Sequence, residues 1–245
     1  MITTHSPAFI NILNLEGLVV VTKDEDGTDV LQIDREELVA HCIAKGAPED
    51  KIDTENVLPF YLANATREIL EGFFARVVVL VEGPTESLAL PVYFDRVGLD
   101  TAKAGVAVIP VYGKGNLAKW HRLFTAYEIP CYVIFDNDGD ADDKKKVKRR
   151  DALLALGIDD EETQDGYLEY HDMLVLGEFS VFGTNFETVL RAKFPKYEAI
   201  ETQGKEEGVD SKPFLARYVA ENLKKDKSQG WVEMKTLADS VRDLI

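Results

Sequence analysis

One short apolar run with an acidic end constrains the fold of this chain more than any other segment. Residues 77–81 read Val-Val-Val-Leu-Val, and Glu82, Gly83 and Pro84 follow at once. Five apolar, mostly β-branched residues are too few for a two-turn helix and predict a strand buried on both faces, as in a parallel sheet. Gly83 allows a turn and Pro84 suits the first helical position. We therefore expect Glu82 at the carboxyl end of a buried strand, where open α/β sheets bind ligands.

A second apolar run ends in acids in the same way. Residues 130–135 read Pro-Cys-Tyr-Val-Ile-Phe, and Asp136 and Asp138 follow. If the two strands are parallel neighbours, Glu82 and Asp136 meet at one edge of the sheet, and Glu86 and Asp138 join them there. Carboxylates that share a pocket without His or Cys call for a hard cation, so these four residues predict a site for Mg²⁺ or Mn²⁺ rather than zinc.

The rest of the chain predicts an α/β fold with a largely parallel sheet flanked by helices. Apolar runs predict further strands over 18–22, 30–33, 105–111, 173–176 and 179–182. Helical spacing fills most of the intervals, including 58–74, so the parallel strands are expected to have right-handed crossovers. The acidic stretch 159–166 has the composition of an exposed loop.

A glycine-rich loop follows the strand predicted over 105–111. Its central residues are Gly113, Lys114 and Gly115, and helical spacing resumes after them. The order of strand, glycine-rich loop and helix presents backbone N–H groups to an anion, so this loop is a candidate phosphate-binding site. The alternative is an ordinary turn with Lys114 in solvent.

The charge of the chain is awkward for a nucleic-acid enzyme. The formal net charge is −16 over 245 residues, whereas contacts with phosphates supply most non-specific affinity for DNA. An acidic domain with no nucleic-acid role therefore remains an alternative. The dense basic cluster follows the second acidic strand end, and we expect DNA there if DNA binds. It contains Lys144, Lys145, Lys146, Lys148, Arg149 and Arg150. The alternative for this cluster is a solvated helix face.

Cysteine usage and hydropathy predict the compartment. The two cysteines, Cys42 and Cys131, provide no disulfide framework, which favours a reducing cytoplasm. No apolar run resembles a signal peptide or approaches the length of a membrane span, so no membrane partner is expected.

The ordered motifs resemble the Toprim domain of topoisomerases, primases and some nucleases. The form Val-Glu-Gly-Pro-Thr-Glu over 81–86 is most similar to nucleases of the overcoming-lysogenization-defect (OLD) family. The core of the resemblance covers about residues 77–140, and a weaker part continues to about 220. It implies a Toprim-like sheet with additional helical segments. The implied activity is endonucleolytic cleavage of DNA by a two-metal mechanism, with Glu82 also acting in catalysis.

The resemblance implies three further site residues. Glu187 matches an additional acidic ligand and Asn185 a supporting polar residue, although Thr184 and Glu187 also fit a capping box that would explain Glu187 structurally. Lys212 matches a functional lysine. Its expected place at a helix N-terminus is unfavourable for a cation, which suggests an anionic neighbour.

The first residues suggest that the Toprim region belongs to a larger protein. The segment around His5 resembles the switch-histidine loop of ABC-type ATPases, which OLD nucleases carry ahead of their Toprim region. The resemblance implies an ATPase edge over 1–16, a connecting hairpin and helices over 17–76, and a catalytic Toprim domain over 77–245. The sequence has no Walker A loop, so its ATP site is incomplete and the N-terminal ATPase domain is expected to be missing.

Two other functions remain compatible with the sequence. A non-catalytic module could use the acidic site to bind Mg²⁺ together with a nucleotide or nucleic acid. A topoisomerase or primase could also use a Toprim domain, but there is no obvious cleavage domain with a reactive tyrosine and no zinc-ribbon cysteines.

Overall fold

A five-stranded sheet forms the centre of the protein. The computed structural model describes residues 3–23, 27–138 and 143–245, with side chains from residue 146 in the last range. The first two strands along the chain, β1 (Val19–Lys23) and β2 (Thr28–Gln32), form a separate antiparallel hairpin. The main sheet consists of β3 (Val77–Val81), β4 (Val106–Pro110), β5 (Cys131–Asp136), β6 (Met173–Val175) and β7 (Phe179–Phe182).

The order of the strands in the main sheet is β4-β3-β5-β7-β6. Strand β3 pairs in parallel with both β4 and β5, and β5 pairs in parallel with β7. Strand β6 runs antiparallel to β7 at one edge. The predicted mostly parallel α/β sheet is therefore confirmed, and the two acidic strand ends are neighbours because β3 and β5 lie side by side.

Helices surround this sheet. They are α1 (Arg35–Ala44), α2 (Val57–Asn64), α3 (Arg67–Leu70), α4 (Pro84–Val97), α5 (Thr101–Ala104), α6 (Leu117–Ala126), α7 (Asp143–Ala155), α8 (Glu161–Leu168), α9 (Phe186–Lys193), α10 (Tyr197–Glu206), α11 (Lys212–Asn222) and α12 (Gln229–Arg242). Short 3₁₀ segments occur at Pro7–Phe9, Ile12–Gly17, Glu49–Lys51, Glu71–Phe74 and Lys114–Asn116. Among the described residues, none of the helices is long and apolar enough to cross a membrane.

Two hydrophobic cores cover the two faces of the sheet. Successive side chains of a strand point to opposite faces. Val78 and Leu80 accordingly belong to the core that contains Trp120 of α6. Val77, Val79 and Val81 belong to the other core, which contains Phe94 of α4, Phe194 after α9 and Trp231 of α12. All five residues of β3 are buried, so the strand that ends at Glu82 is held from both sides.

Two segments differ from the sequence prediction. The helix predicted over 58–74 is broken, because Ala65 leaves helical geometry and Thr66 caps a new helix by accepting a hydrogen bond from the Ile69 N–H. The loop predicted over 159–166 is mostly helix α8, which begins where Asp160 accepts a hydrogen bond from the Thr163 N–H. Composition indicated exposure there, but an acidic residue at the start of a helix also caps and stabilises it.

Candidate metal centre

Glu82 and Asp136 meet at the carboxyl edge of the sheet, as the sequence predicts. Glu82 Oε1 accepts a hydrogen bond of 2.7 Å from the backbone N–H of Asp136. This contact joins the end of β3 to the end of β5. The carboxylate of Glu82 is therefore positioned by backbone structure on both strands.

Glu86 lies one helical turn further on, at the start of α4. Its Oε2 accepts a hydrogen bond of 3.2 Å from the Gly83 N–H, which fixes the side chain against the strand end. Only 8% of Glu86 is exposed. Burial, assisted by the charges of Glu82 and Glu187, raises the pKa of Glu86 to about 7. A buried carboxyl whose charged form is disfavoured in this way is a candidate functional group.

The pKa of Asp136 is raised for similar reasons. Burial raises its pKa well above the ordinary value, and the charges of Glu82 and Glu86 act in the same direction. Burial also raises the pKa of Glu82, although the nearby Lys114 ammonium opposes that shift. Burial and mutual repulsion therefore disfavour the charged forms of the acids at this edge.

Lys114 reaches into the centre of this acidic group. Its Nζ lies 3.1 Å from Glu82 Oε1 and 2.6 Å from Asp138 Oδ2, and it also donates to the backbone carbonyl of Asp136. The preceding loop turns sharply to place it there. Tyr112 and Gly113 have φ values of 55° and 132°, in the region that favours glycine. Of the Lys114 side chain only 6% is exposed, so the solvated turn considered as an alternative is not what forms.

A second part of the site lies at the start of α9. Asn185 caps this helix by accepting a hydrogen bond from the Thr188 N–H at 2.9 Å. The predicted capping box with Thr184 as its first residue is therefore wrong, and Glu187 is not used in a cap. Instead, Glu187 Oε1 lies 2.9 Å from Lys212 Nζ, which is the anionic neighbour that the position of Lys212 predicts.

Lys212 is a solvent-facing cation of the site. Its side chain is 71% exposed. Partial burial lowers its pKa, but the hydrogen bond and charge of Glu187 outweigh this effect, and the net shift is upwards. Asn185, Glu187 and Lys212 help to line a cavity of about 160 Å³, to which Arg191 and Tyr197 also contribute. Space for a ligand is thus present beside the acidic edge.

The basic cluster on α7 divides into buried and exposed cations. Arg149 is 2% exposed and donates to the backbone carbonyl and the Oδ1 of Asn137, so its guanidinium lies inside the protein and not on a surface that DNA could contact. Arg150 and Lys146 are partly buried and both pair with Asp165, at 2.5 and 3.0 Å.

Lys148 is exposed, and its aliphatic chain passes over Gly115. A Cβ atom placed on Gly115 would lie 3.3 Å from Lys148 Cδ. This exposed lysine therefore borders the glycine-rich loop. The side chains of Lys144 and Lys145 lie outside the described residues.

His5 lies far from the acidic residues in sequence. Its ring packs 6.0 Å from the ring of Phe74, centroid to centroid. The proposed relation of His5 to an ATPase remains a prediction.

The residues present fit a divalent cation. Glu82, Asp138 and the carbonyl of Asp136 already surround the ammonium of Lys114, and oxygen donors of this kind suit Mg²⁺ and Mn²⁺. Across the part of the chain that the structure describes, no group of three His, Cys, Asp or Glu side chains is arranged to hold an ion as it stands. Lys114 lies between the acids and contacts Glu82, Asp136 and Asp138. The sequence did not predict this position of Lys114.

The acidic strand ends lie in a part of the chain that matches a Toprim family. Residues 73–138 match the family described as overcoming lysogenization defect protein-like, TOPRIM domain. This range contains Glu82, Glu86, Asp136 and Asp138, and the match confirms the resemblance inferred from the motifs.

Similar proteins come from three bacteria. The OLD nuclease of Thermus scotoductus is 30% identical over 141 residues, which are 56% of this chain and 24% of that protein. The C-terminal region of the Xanthomonas campestris pv. campestris OLD protein is 17% identical with a TM-score of 0.49, and covers 70% of this chain and 94% of its own. The C-terminal region of the Burkholderia pseudomallei OLD protein is 17% identical with a TM-score of 0.49, and covers 69% and 98%.

Proposed function

We propose that this chain is the catalytic Toprim part of a divalent-metal-dependent DNA endonuclease. The observation that carries the proposal is the convergence of Glu82, Asp136 and Asp138 on one buried cation at the carboxyl edge of a parallel sheet. This edge lies within the region that matches the OLD-like Toprim family. The similar OLD nuclease supports phosphodiester hydrolysis as the reaction.

The acidic residues would hold the metal. Glu82, Glu86, Asp136 and Asp138 supply carboxylates at the sheet edge, and Glu187 supplies one from α9. Bound at these carboxylates, two Mg²⁺ or Mn²⁺ ions would supply the charge that activates the attacking water and stabilises the leaving oxygen. Glu82 would act as the general base, because the Asp136 N–H holds its carboxylate at the carboxyl edge of the sheet.

The cations would act on the substrate. Lys212 is exposed beside Glu187 and can donate to a phosphate whose negative charge increases in the transition state. Lys148 is exposed next to Gly115 and can contact the DNA backbone. These few local cations would have to hold DNA against the formal net charge of −16.

The setting of the domain is part of the same proposal. The matched region spans 24% of the OLD nuclease, so that relative is much longer than the match. From the resemblance around His5, we propose that the Toprim part works with an N-terminal ABC-type ATPase domain. Cys42 and Cys131 are both free and buried, which agrees with a reducing cytoplasm.

Plasmid DNA provides the test. The purified protein is incubated with supercoiled plasmid and Mg²⁺ or Mn²⁺, and the same reaction is run in EDTA. Nicked and linear products that disappear in EDTA are the expected result. Ladders of relaxed circles would indicate a topoisomerase. Unchanged DNA that is nevertheless bound by the protein would favour the non-catalytic binding module, and cleavage in EDTA would contradict the metal-dependent mechanism.

A further inference from the structure

Three oxygens lie against the ammonium of Lys114 inside the acidic group. Lys114 Nζ donates to Asp138 Oδ2 and to the backbone carbonyl of Asp136, and it forms an ion pair with Glu82 Oε1 at 3.1 Å. A lysine ammonium has three donor hydrogens, so these contacts occupy the ammonium while they persist. The ammonium is therefore committed to the residues that are the proposed metal ligands.

The backbone that carries Lys114 is attached to the same strand end. The Gly113 N–H donates to the carbonyl of Glu82 at 2.9 Å, and Asn116 Nδ2 donates to the carbonyl of Val111 at 2.9 Å. The loop is thus fixed at the end of β3 and just after β4, while the long side chain of Lys114 keeps its rotatable bonds. The side chain can leave the acids without any change in the sheet.

We propose that Lys114 is a tethered counter-ion, which neutralises the metal-free site and is displaced when a divalent ion binds. This inference rests on the proposed function in one respect, namely that the acidic site takes a metal. The ammonium and a divalent ion compete for the same carboxylate oxygens, because simultaneous contact would bring like charges together. Lys114 therefore weakens metal affinity and stabilises the empty site.

The second half of this proposal follows from the charge balance. Lys114 is 7% exposed and places its ammonium against the carboxylates of Glu82 and Asp138. Without Lys114, these carboxylates would lose that buried positive charge. The metal-free protein should then unfold more easily, and a bound ion should restore its stability.

The first test replaces the charge with an apolar side chain of similar length. Lys114→Met is compared with Lys235→Met, because Lys235 also makes a 2.6 Å ion pair, with Asp239, but is exposed. Mn²⁺ binding is measured by isothermal titration in the absence of DNA, and thermal unfolding is measured in EDTA. We expect Lys114→Met to bind Mn²⁺ about tenfold more tightly or better, as the removal of one close charge would produce. It should also unfold at a lower temperature without metal, whereas Lys235→Met should match the wild type in both measurements.

The second test needs no substitution, so it remains decisive if Lys114→Met does not fold. An amine-acetylating reagent is applied to the wild-type protein with and without Mn²⁺, and modification is mapped by mass spectrometry. Lys114 should be protected without the ion and become reactive with it. The exposed Lys235 provides the control, because its reactivity should not depend on Mn²⁺.

The outcomes separate this inference from the proposed function. Equal Mn²⁺ affinity of the wild type and Lys114→Met, or protection of Lys114 both with and without bound Mn²⁺, would overturn the inference while leaving metal binding intact. Weaker binding by Lys114→Met would also overturn it. If neither protein bound a divalent ion, the metal-dependent function would fail together with it. Binding by Lys114→Met alone would support the inference strongly.

Discussion

The carboxylate of Glu82 accepts its 2.7 Å hydrogen bond from the backbone N–H of Asp136, so each of the two acidic strand ends fixes the other. A side chain held in this way has little freedom to reorient when a ligand binds. Preorganised groups of this kind contribute most to catalysis when they face charge that develops in the transition state.

Asp136→Asn should abolish DNA cleavage and leave the fold intact. The substitution removes a proposed ligand and also a buried charge that is repelled by Glu82 and Glu86. The free energy of unfolding in EDTA should therefore not fall below that of the wild type. Plasmid cleavage and urea unfolding measure the two effects, with Asp239→Asn as a surface control of equal charge. Wild-type cleavage by Asp136→Asn would remove Asp136 from the site.

Glu86 should make the stability of the metal-free protein depend on pH. Its pKa is raised from 4.5 to about 7 in the folded state, so the folded protein holds this proton more tightly than the unfolded chain does. The resulting stability is fully present below about pH 4.5 and is lost as the pH rises to about 7. The loss is at most about 3 kcal/mol, since one pKa unit corresponds to about 1.4 kcal/mol.

Denaturant titrations in EDTA across this pH range measure the effect. Glu86→Gln should flatten the fall in unfolding free energy, whereas Glu206→Gln, at an exposed position, should not. An unchanged fall in Glu86→Gln would show that Glu86 titrates normally in the folded protein.

Arg149 and Lys148 are adjacent on α7 but should behave differently. Arg149→Met removes the hydrogen bonds that the buried Asn137 accepts from Arg149 and should cost about 1–3 kcal/mol of unfolding free energy. Lys148→Met removes an exposed charge and should leave stability within about 0.5 kcal/mol of the wild type. It should nevertheless weaken DNA binding and reduce the salt dependence of that binding. Urea unfolding and DNA titrations at several salt concentrations distinguish the two roles, and equal stability of both variants would contradict this division.

Lys212→Ala should lower the rate of cleavage more than the affinity for DNA. The side chain is exposed and paired with Glu187, so it can turn to a phosphate as charge develops there. A drop of about 10²-fold or more in the single-turnover rate is expected, the usual effect of losing one such donor. Lys235→Ala serves as the control. A loss of affinity with an unchanged rate would instead make Lys212 a ground-state contact.

The parts of the site that the sequence predicted are those fixed by strand ends. Glu82 and Asp136 each follow an apolar run, and parallel pairing brings such ends together whatever the loops do. The position of Lys114 depends on the positive φ values of Tyr112 and Gly113, which turn the loop into the acidic group. The residue types in the loop allow this turn but do not require it. The sequence therefore could not decide whether Lys114 contacts a phosphate or lies in solvent.

The basic helix and the α9 cap show a second limit. A run of lysines and arginines gives no apolar stripe that would indicate which side packs inwards, so the burial of Arg149 could not be predicted. Thr184 and Asn185 are both good N-cap residues. Only the backbone shows that Asn185 is the cap, which leaves Glu187 to pair with Lys212.

The complete burial of β3 also sets how fast different parts of the site can open. Amides of a fully buried central strand exchange with solvent mainly through global unfolding, whereas loops exchange through local opening. The N–H groups of Val77–Val81 are therefore expected among the slowest to exchange deuterium. A cation can then be exchanged at Glu82 by rotation of the Lys114 side chain, with the sheet remaining closed throughout.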